Sequence, residues 1–139
     1  MRLINITTED QVNKLFLWFN DPNHTTYFNS KKKSKEQIKK MLEIPNNYNW
    51  IIVENDQEVG WVSLCKSDKS GVISILVSKK FQGKGLGLKA MKCMEKKAKG
   101  MDISKLVLNV FEENVKAISL YKKLGYKELS KQIRMEKKI

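Results

Sequence analysis

One histidine, two cysteines and two prolines are all that the 139-residue chain contains of these three residue types. Cys65 and Cys93 form no Cys-x-x-Cys pair, and His24 is the sole imidazole, which excludes a zinc site and a disulfide framework. No bound metal is expected. Also missing is any apolar run near the ~20 residues that a membrane-crossing helix needs. The opening Met1-Arg2-Leu3-Ile4-Asn5 runs straight into polar residues, without the apolar core and small-residue cleavage site of an export signal. These absences point to a soluble protein, free of the membrane, in the cytoplasm, where thiols stay reduced.

What is present is apolar enough to fold. With 41% apolar residues and so little proline, the chain is no disordered basic tail, and its length suits one domain spanning 1–139. Lys plus Arg number 27 against 15 acidic residues, a formal charge of +12. Such a balance attracts nucleic acid, anionic lipid or a small polyanionic cofactor. A nucleic-acid-binding domain would gather its cations on one face among exposed aromatics. Here only Lys31-Lys32-Lys33 forms a run, and the even scatter of the rest reads as solvated surface.

The hydrophobic pattern orders the chain. Residues 1–6 alternate as a short strand, and Thr8-Glu9-Asp10-Gln11 has the form of a capping box before a helix with Val12, Leu15, Phe16 and Phe19 on one stripe. A polar connection carries His24, expected to be exposed, and Tyr27. A second capping box, Ser34-Lys35-Glu36-Gln37, opens a helix with Ile38, Met41 and Leu42 inward, closed by Pro45. The period then shortens: Trp50–Val53, the turn Asn55-Asp56 and Val59–Leu64 read as a hairpin, and Val72–Val77 as a central strand buried on both faces. A helix over about 86–99 follows, with Leu88, Met91, Met94 and Ala98 inward and Gly100 as its cap. Lys105–Phe111 reads as a strand parallel to the one before the helix, and Ala117, Leu120, Tyr121 and Leu124 mark a last short helix ended by Gly125. Residues 126–138 are expected to add one or two strands. The fold class is therefore α/β (α+β): a mixed, mostly antiparallel sheet of six to seven strands with about four helices.

Between the buried strand and the third helix lies Gln82-Gly83-Lys84-Gly85-Leu86-Gly87-Leu88. Glycines at alternate positions let the backbone approach an anion, and the free N–H groups of a helix start point at it. Lys79, Lys80 and Lys84 add charge. No G-x-x-x-x-G-K-[ST] string exists, which excludes a P-loop nucleotidase. Gly85-Leu86-Gly87-Leu88-Lys89-Ala90 does fit a dinucleotide fingerprint, with Glu112 downstream, yet three antiparallel strands precede it and too little chain follows for a doubly wound domain. A ligand-free glycine turn is the plain alternative.

Gln82-Gly83-Lys84-Gly85-Leu86-Gly87 resembles the Q/R-x-x-G-x-G/A motif of the GNAT superfamily of acetyl-CoA-dependent N-acetyltransferases. Asn114-Val115-Lys116-Ala117-Ile118-Ser119-Leu120-Tyr121-Lys122-Lys123-Leu124-Gly125-Tyr126 is similar to that family's C-terminal N-x-x-A-x-x-L-Y-x-x-x-G-F/Y segment. The resemblance implies a GNAT fold with a splayed parallel central strand pair. It also implies acetyl transfer from acetyl-CoA to the primary amine of a small molecule or a protein N-terminus, by direct attack in a ternary complex, by a monomer or homodimer. It assigns the pyrophosphate to the amides of Gly83, Lys84, Gly85, Leu86, Gly87 and Leu88, counts Gln82 among the cofactor contacts, and gives the pantetheine arm to main-chain groups of Leu76 and Val77. Asn109 and Asn114 join the cofactor contacts, and Tyr121 both contacts the cofactor and acts as the acid that protonates the departing thiolate.

Each of these roles has a structural alternative: core aromatic for Tyr121, helix N-cap for Asn114. Asn109 stands where many members carry a glutamate base, and asparagine cannot take a proton. Glu54, Glu112 and Glu113 are base candidates by type only, and a water relay is the other route. The missing carboxylate also admits a CoA-binding module with impaired catalysis. Trp18, His24, Tyr27, Phe28 and Trp61 are candidates for the acceptor wall, with Trp18 and Phe28 read as core, and Cys65 and Cys93 are expected to be structural.

Overall fold

Both early helices begin at the caps their sequences encode. Thr8 accepts from the Gln11 N–H at 3.2 Å while the Gln11 side chain takes the Thr8 N–H, and Ser34 and Gln37 repeat the exchange. Each box satisfies two donors that a helix start leaves without partners. The computed structural model describes residues 1–25, 32–130 and 135–138.

In chain order the elements are β1 (Arg2–Asn5), α1 (Glu9–Asn20), the single turn α2 (Pro22–Thr25), α3 (Lys35–Glu43), β2 (Asn47–Glu54), β3 (Gln57–Ser67) and β4 (Ser70–Val77). After a 3-10 turn at Lys79–Phe81 come α4 (Leu86–Gly100), β5 (Lys105–Leu108) and α5 (Val115–Lys123). The five strands lie side by side in sequence order, antiparallel from β1 to β4 and parallel between β4 and β5. The β2–β3 hairpin closes through Asn55 and Asp56, both at positive φ (50° and 60°), as a right-twisted two-residue turn requires.

Two cores flank the sheet. Trp50, Ile52, Val62, Leu64 and Ile73 face Leu86, Ala90, Met91, Met94 and Ala98 of α4, and Leu120 and Tyr121 of α5 close the margin of that core. On the other face Ile51, Val53, Trp61 and Leu76 pack against Val12, Leu15, Phe19 and Ile38 of α1 and α3. Each fully buried side chain of this size contributes about 1.5–3 kcal/mol. Among the described residues, no helix is long and apolar enough to cross a membrane.

Among the described residues the sheet has five strands where six to seven were expected. Residues 126–130 and 135–138 form no strand, and Leu129 (80% exposed) and Met135 (87%) bury nothing that would repay the ordering of a strand; residues 131–134 lie outside the described part. Val72 is 40% exposed, so β4 is not buried on both faces along its length. The fifth strand stops at Leu108 instead of continuing to 111, and Gly100 is the last helical residue of α4, the left-handed position falling to Asp102 (φ 57°).

A bulge shapes the end of β3. Ile52 pairs with Gly60 but Val53 with Glu58, so Val59 is an extra residue and its side chain turns to the α4 face. Here Gly60 presses on β4: a Cβ would fall inside van der Waals distance of the Leu76 carbonyl oxygen and 3.1 Å from Val77 Cα. Gly60→Ala is therefore expected to destabilise the protein by about 1–3 kcal/mol, because the obstacle is backbone and cannot rotate away. Urea unfolding checks this, and a midpoint equal to the parent's would contradict it.

Candidate functional site

The site begins where two strands part. Pairing of β4 with β5 ends at Ile73 opposite Leu108, yet β4 runs on through Ser74, Ile75, Leu76 and Val77 with β3 alone beside it among the described residues. The Ser78 N–H donates to the Val59 carbonyl at 2.8 Å, on the β3 side. Main-chain groups alternate along a strand, so Leu76 also addresses β3, whereas Ile75 and Val77 turn their N–H and C=O toward the gap. The Val77 carbonyl accepts from Gln82 Nε2 at 2.8 Å, which folds the following turn back onto the strand end. The main-chain positions open to a ligand are thus Ile75 and Val77. Leu76, singled out from sequence together with Val77, turns its main-chain groups to β3, and its neighbour Ile75 turns its own to the gap.

Beyond that turn the glycine loop lies exposed at the head of α4. Gly83 and Gly85 sit at φ +78° and +73°, with Gly85 as the helix N-cap, and a Cβ on either would meet nothing within 4 Å. The glycines serve backbone conformation here and leave open space in front of the loop. The first N–H to bond back into the helix is that of Lys89, to the Gly85 carbonyl at 3.3 Å. Those of Leu86, Gly87 and Leu88 precede it and face outward at the positive end of the dipole. Lys80 and Lys84 bracket the Phe81 ring, their ammonium groups 5.5 and 5.7 Å from its centroid. Amide donors, a helix terminus and two ammonium groups around an open space form a donor set that fits a pyrophosphate.

The last helix packs against this loop. Gly87 lies where a Cβ would stand 3.6 Å from Leu120 Cδ1, so α5 rests on the first turn of α4. Tyr121, the next residue, packs into the α4-side core with its ring 6.0 Å from that of Tyr126, and burial raises its phenol above the ordinary value. Asn114 is the N-cap of α5, accepting from the Ala117 N–H at 3.3 Å, so its structural alternative is realised. Asn109 is exposed, one residue beyond β5.

Among the candidate bases, Glu54 is occupied. Lys89 Nζ hydrogen-bonds it at 2.8 Å and holds its carboxyl below the ordinary value, and the chain's first ammonium lies 3.5 Å away. Glu112 and Glu113 are exposed. Of the acceptor-wall candidates, Trp61 is core, edge-on to Phe19 at 4.8 Å with its Nε1 donating to Asn49 Oδ1. Trp18 is half-buried, and Tyr27 and Phe28 lie outside the described residues. Cys65 is exposed and Cys93 partly exposed on α4, so neither fills the core.

His24 corrects the sequence reading most sharply. Expected on the surface, it is only 7% exposed, with Nδ1 2.9 Å from the Trp18 carbonyl and Nε2 accepting from the Lys79 N–H at 2.8 Å. Pro22 opens the single turn that carries it inward. No local pattern encodes a partner 55 positions away.

The glycine loop at the head of α4 thus stands beside the gap where β4 and β5 part. Residues 10–126 match the Acetyltransferase (GNAT) family, and the chain belongs to it. Acetyl-CoA is that family's acetyl donor. The chain is 29% identical over 118 residues to the uncharacterized N-acetyltransferase YdgE of Bacillus subtilis, covering 78% of this chain and 74% of that one. It is 30% identical over 107 residues to spermidine N(1)-acetyltransferase of Escherichia coli, covering 66% and 57%. The crystal structure of a spermidine N-acetyltransferase from Vibrio cholerae in complex with CoA and spermine shares the fold, with a TM-score of 0.83 at 18% identity over 93% of this chain and 82% of that one.

Proposed function

We propose that the chain transfers an acetyl group from acetyl-CoA to the primary amine of a small molecule, with the cosubstrate lying across the α4 head and into the gap beyond Ile73 and Leu108. The observation that carries this reading is the alignment of two features. The β4 segment that outruns its pairing with β5 leads, through the turn at Lys79–Phe81, into the exposed glycine loop. Leu86, Gly87 and Leu88, with Gly83 and Gly85 shaping the loop, would hold the pyrophosphate through N–H groups, while Lys80 and Lys84 neutralise it. Ile75 and Val77 would pair with the amides of the pantetheine arm as a missing strand would.

When bound, acetyl-CoA supplies a thioester electrophile. Tyr121 is the group to which we assign the acid, since it holds the tyrosine position of the Asn114–Tyr126 segment and a phenol carries a proton to give at neutral pH. The ammonium proton leaves through water, because Asn109 can orient a water but not bind its proton and Glu54 is held by Lys89. The relatives named for spermidine support a small-molecule amine. A protein N-terminus is the second acceptor class to include in a screen for CoA release.

Two outcomes test the reading. Millimolar acetyl-CoA should raise the melting temperature of the parent by several degrees, as any ligand of the native state does. Gly85→Glu, which sets a charge and a Cβ into the cradle, should abolish the shift; an unchanged parent, or a variant that shifts equally, contradicts the cofactor site. Tyr121→Phe should lower kcat by about 10²–10⁴-fold with little change in acetyl-CoA affinity, since the ring's packing survives. Parental turnover in that variant would remove Tyr121 from the mechanism.

A further inference from the structure

The cofactor loop is held from behind by the acceptor side of the molecule. His24 sits in the turn after α1, buried, and reaches the main chain on both sides: Trp18 at the end of α1 through Nδ1, and Lys79 at the start of the turn after β4 through Nε2. These two bonds fix its chemistry. A carbonyl can only accept, so Nδ1 carries the hydrogen; an amide N–H can only donate, so Nε2 is bare. The ring is therefore the neutral Nδ1–H tautomer. The Asp21 carboxylate 3.8 Å from Nδ1 lies on the same side as the Trp18 carbonyl and favours that hydrogen. With both nitrogens engaged, His24 has no lone pair left to take a proton from an acceptor amine, so it is no base for the reaction.

Its place on the path to the loop is what gives it a role. Ser78 is tied to β3 through the Val59 carbonyl, Lys79 to His24, and Gln82 back to the Val77 carbonyl. Inside the turn the Phe81 N–H bonds the Ser78 carbonyl at 2.8 Å and the Gln82 N–H the Lys79 carbonyl at 3.3 Å, and the three tethers set how that turn delivers Gly83 to the head of α4. Two of them stay within β3, β4 and the turn itself. The bond from Lys79 alone crosses to the layer formed by α1 and α2. We infer that His24 is a positioning residue for the cofactor loop: its Nε2 holds the Lys79 N–H so that the loop amides are already aimed when acetyl-CoA arrives, and it couples the loop to the helix bearing Trp18. The inference rests on the cofactor site proposed above. It concerns a side chain that need not touch the cofactor, and the bond can act only through preorganisation: a loop that must be ordered at the moment of binding takes that ordering out of the affinity.

Two substitutions separate the two nitrogens. His24→Asn keeps an amide donor near the position of Nδ1 and loses the acceptor toward Lys79. His24→Gln carries its oxygen near the position of Nε2, keeping that acceptor and losing the donor to Trp18. Acetyl-CoA affinity of parent and variants is measured by calorimetry, with melting temperatures alongside. The expected result is a roughly ten-fold loss of affinity in His24→Asn, as for an amide left without its partner, with His24→Gln within about threefold of the parent although both variants melt earlier. Equal affinities in all three proteins, or equal losses in both variants, would overturn the role given to His24. A parent that does not bind acetyl-CoA would overturn the cofactor site itself, a distinguishable failure. Should His24→Asn not fold, the parent decides alone. Its Lys79 amide should exchange slowly with deuterium and its imidazole should show the Nδ1–H signature in nitrogen-15 spectra. Exchange of Lys79 at the rate of an open amide, or the opposite tautomer, overturns the inference.

Discussion

A β-strand that outruns its neighbour must find partners for its main chain. In this protein β4 continues past Ile73 while β5 turns away after Leu108, so Ile75 and Val77 present peptide groups to a gap rather than to a strand. Water can satisfy them, but so can an extended ligand carrying amides of its own, and only the ligand gains direction from the match. Much of the site geometry follows from that mismatch in length. The bulge at Val59 and the pressure of Gly60 on the Leu76 carbonyl act on the opposite edge of the same strand segment, holding it against β3 where it leaves β5.

Electrostatics and packing converge on the next few residues. The head of α4 offers N–H groups and a dipole, and two lysines stand over Phe81 beside it. Leu120 braces Gly87 from α5, and Glu54 pins Lys89 one turn into α4, so the helix start is fixed from two further elements. A loop made flexible by its glycines is thereby held by its surroundings. The +12 charge of the chain adds a favourable field for a polyanion without specifying it.

Local chemistry was well written in the sequence. The capping boxes at Thr8 and Ser34, the Asn55-Asp56 turn and the helix after Gly85 all rest on contacts within a few residues, and they form where the pattern puts them. The glycine loop was legible for the same reason. What escaped depends on distant partners. His24 looks like a loop residue until the fold brings Lys79 to it, Trp61 looks like a pocket wall until Phe19 covers it, and the bulge that reverses Val59 arises from pairing with β2. The orientation of Leu76 and Ile75 is intermediate, since strand alternation was readable but the side facing β3 was not. The one or two strands expected over 126–138 do not form in the described residues there, where Leu129 and Met135 stay exposed.

The central claim is that one continuous surface, from the amides of Ile75 and Val77 to those at the head of α4, receives the acetyl donor. Amide proton–nitrogen spectra recorded through an acetyl-CoA titration test it most directly. The largest shifts should fall on Ile75, Val77 and residues 83–88, with little change on the outer face of α5 around Val115 and Lys122. Perturbations confined to the lysine-bearing surface of α5, or spread evenly over the basic residues with the 83–88 amides unmoved, would contradict it.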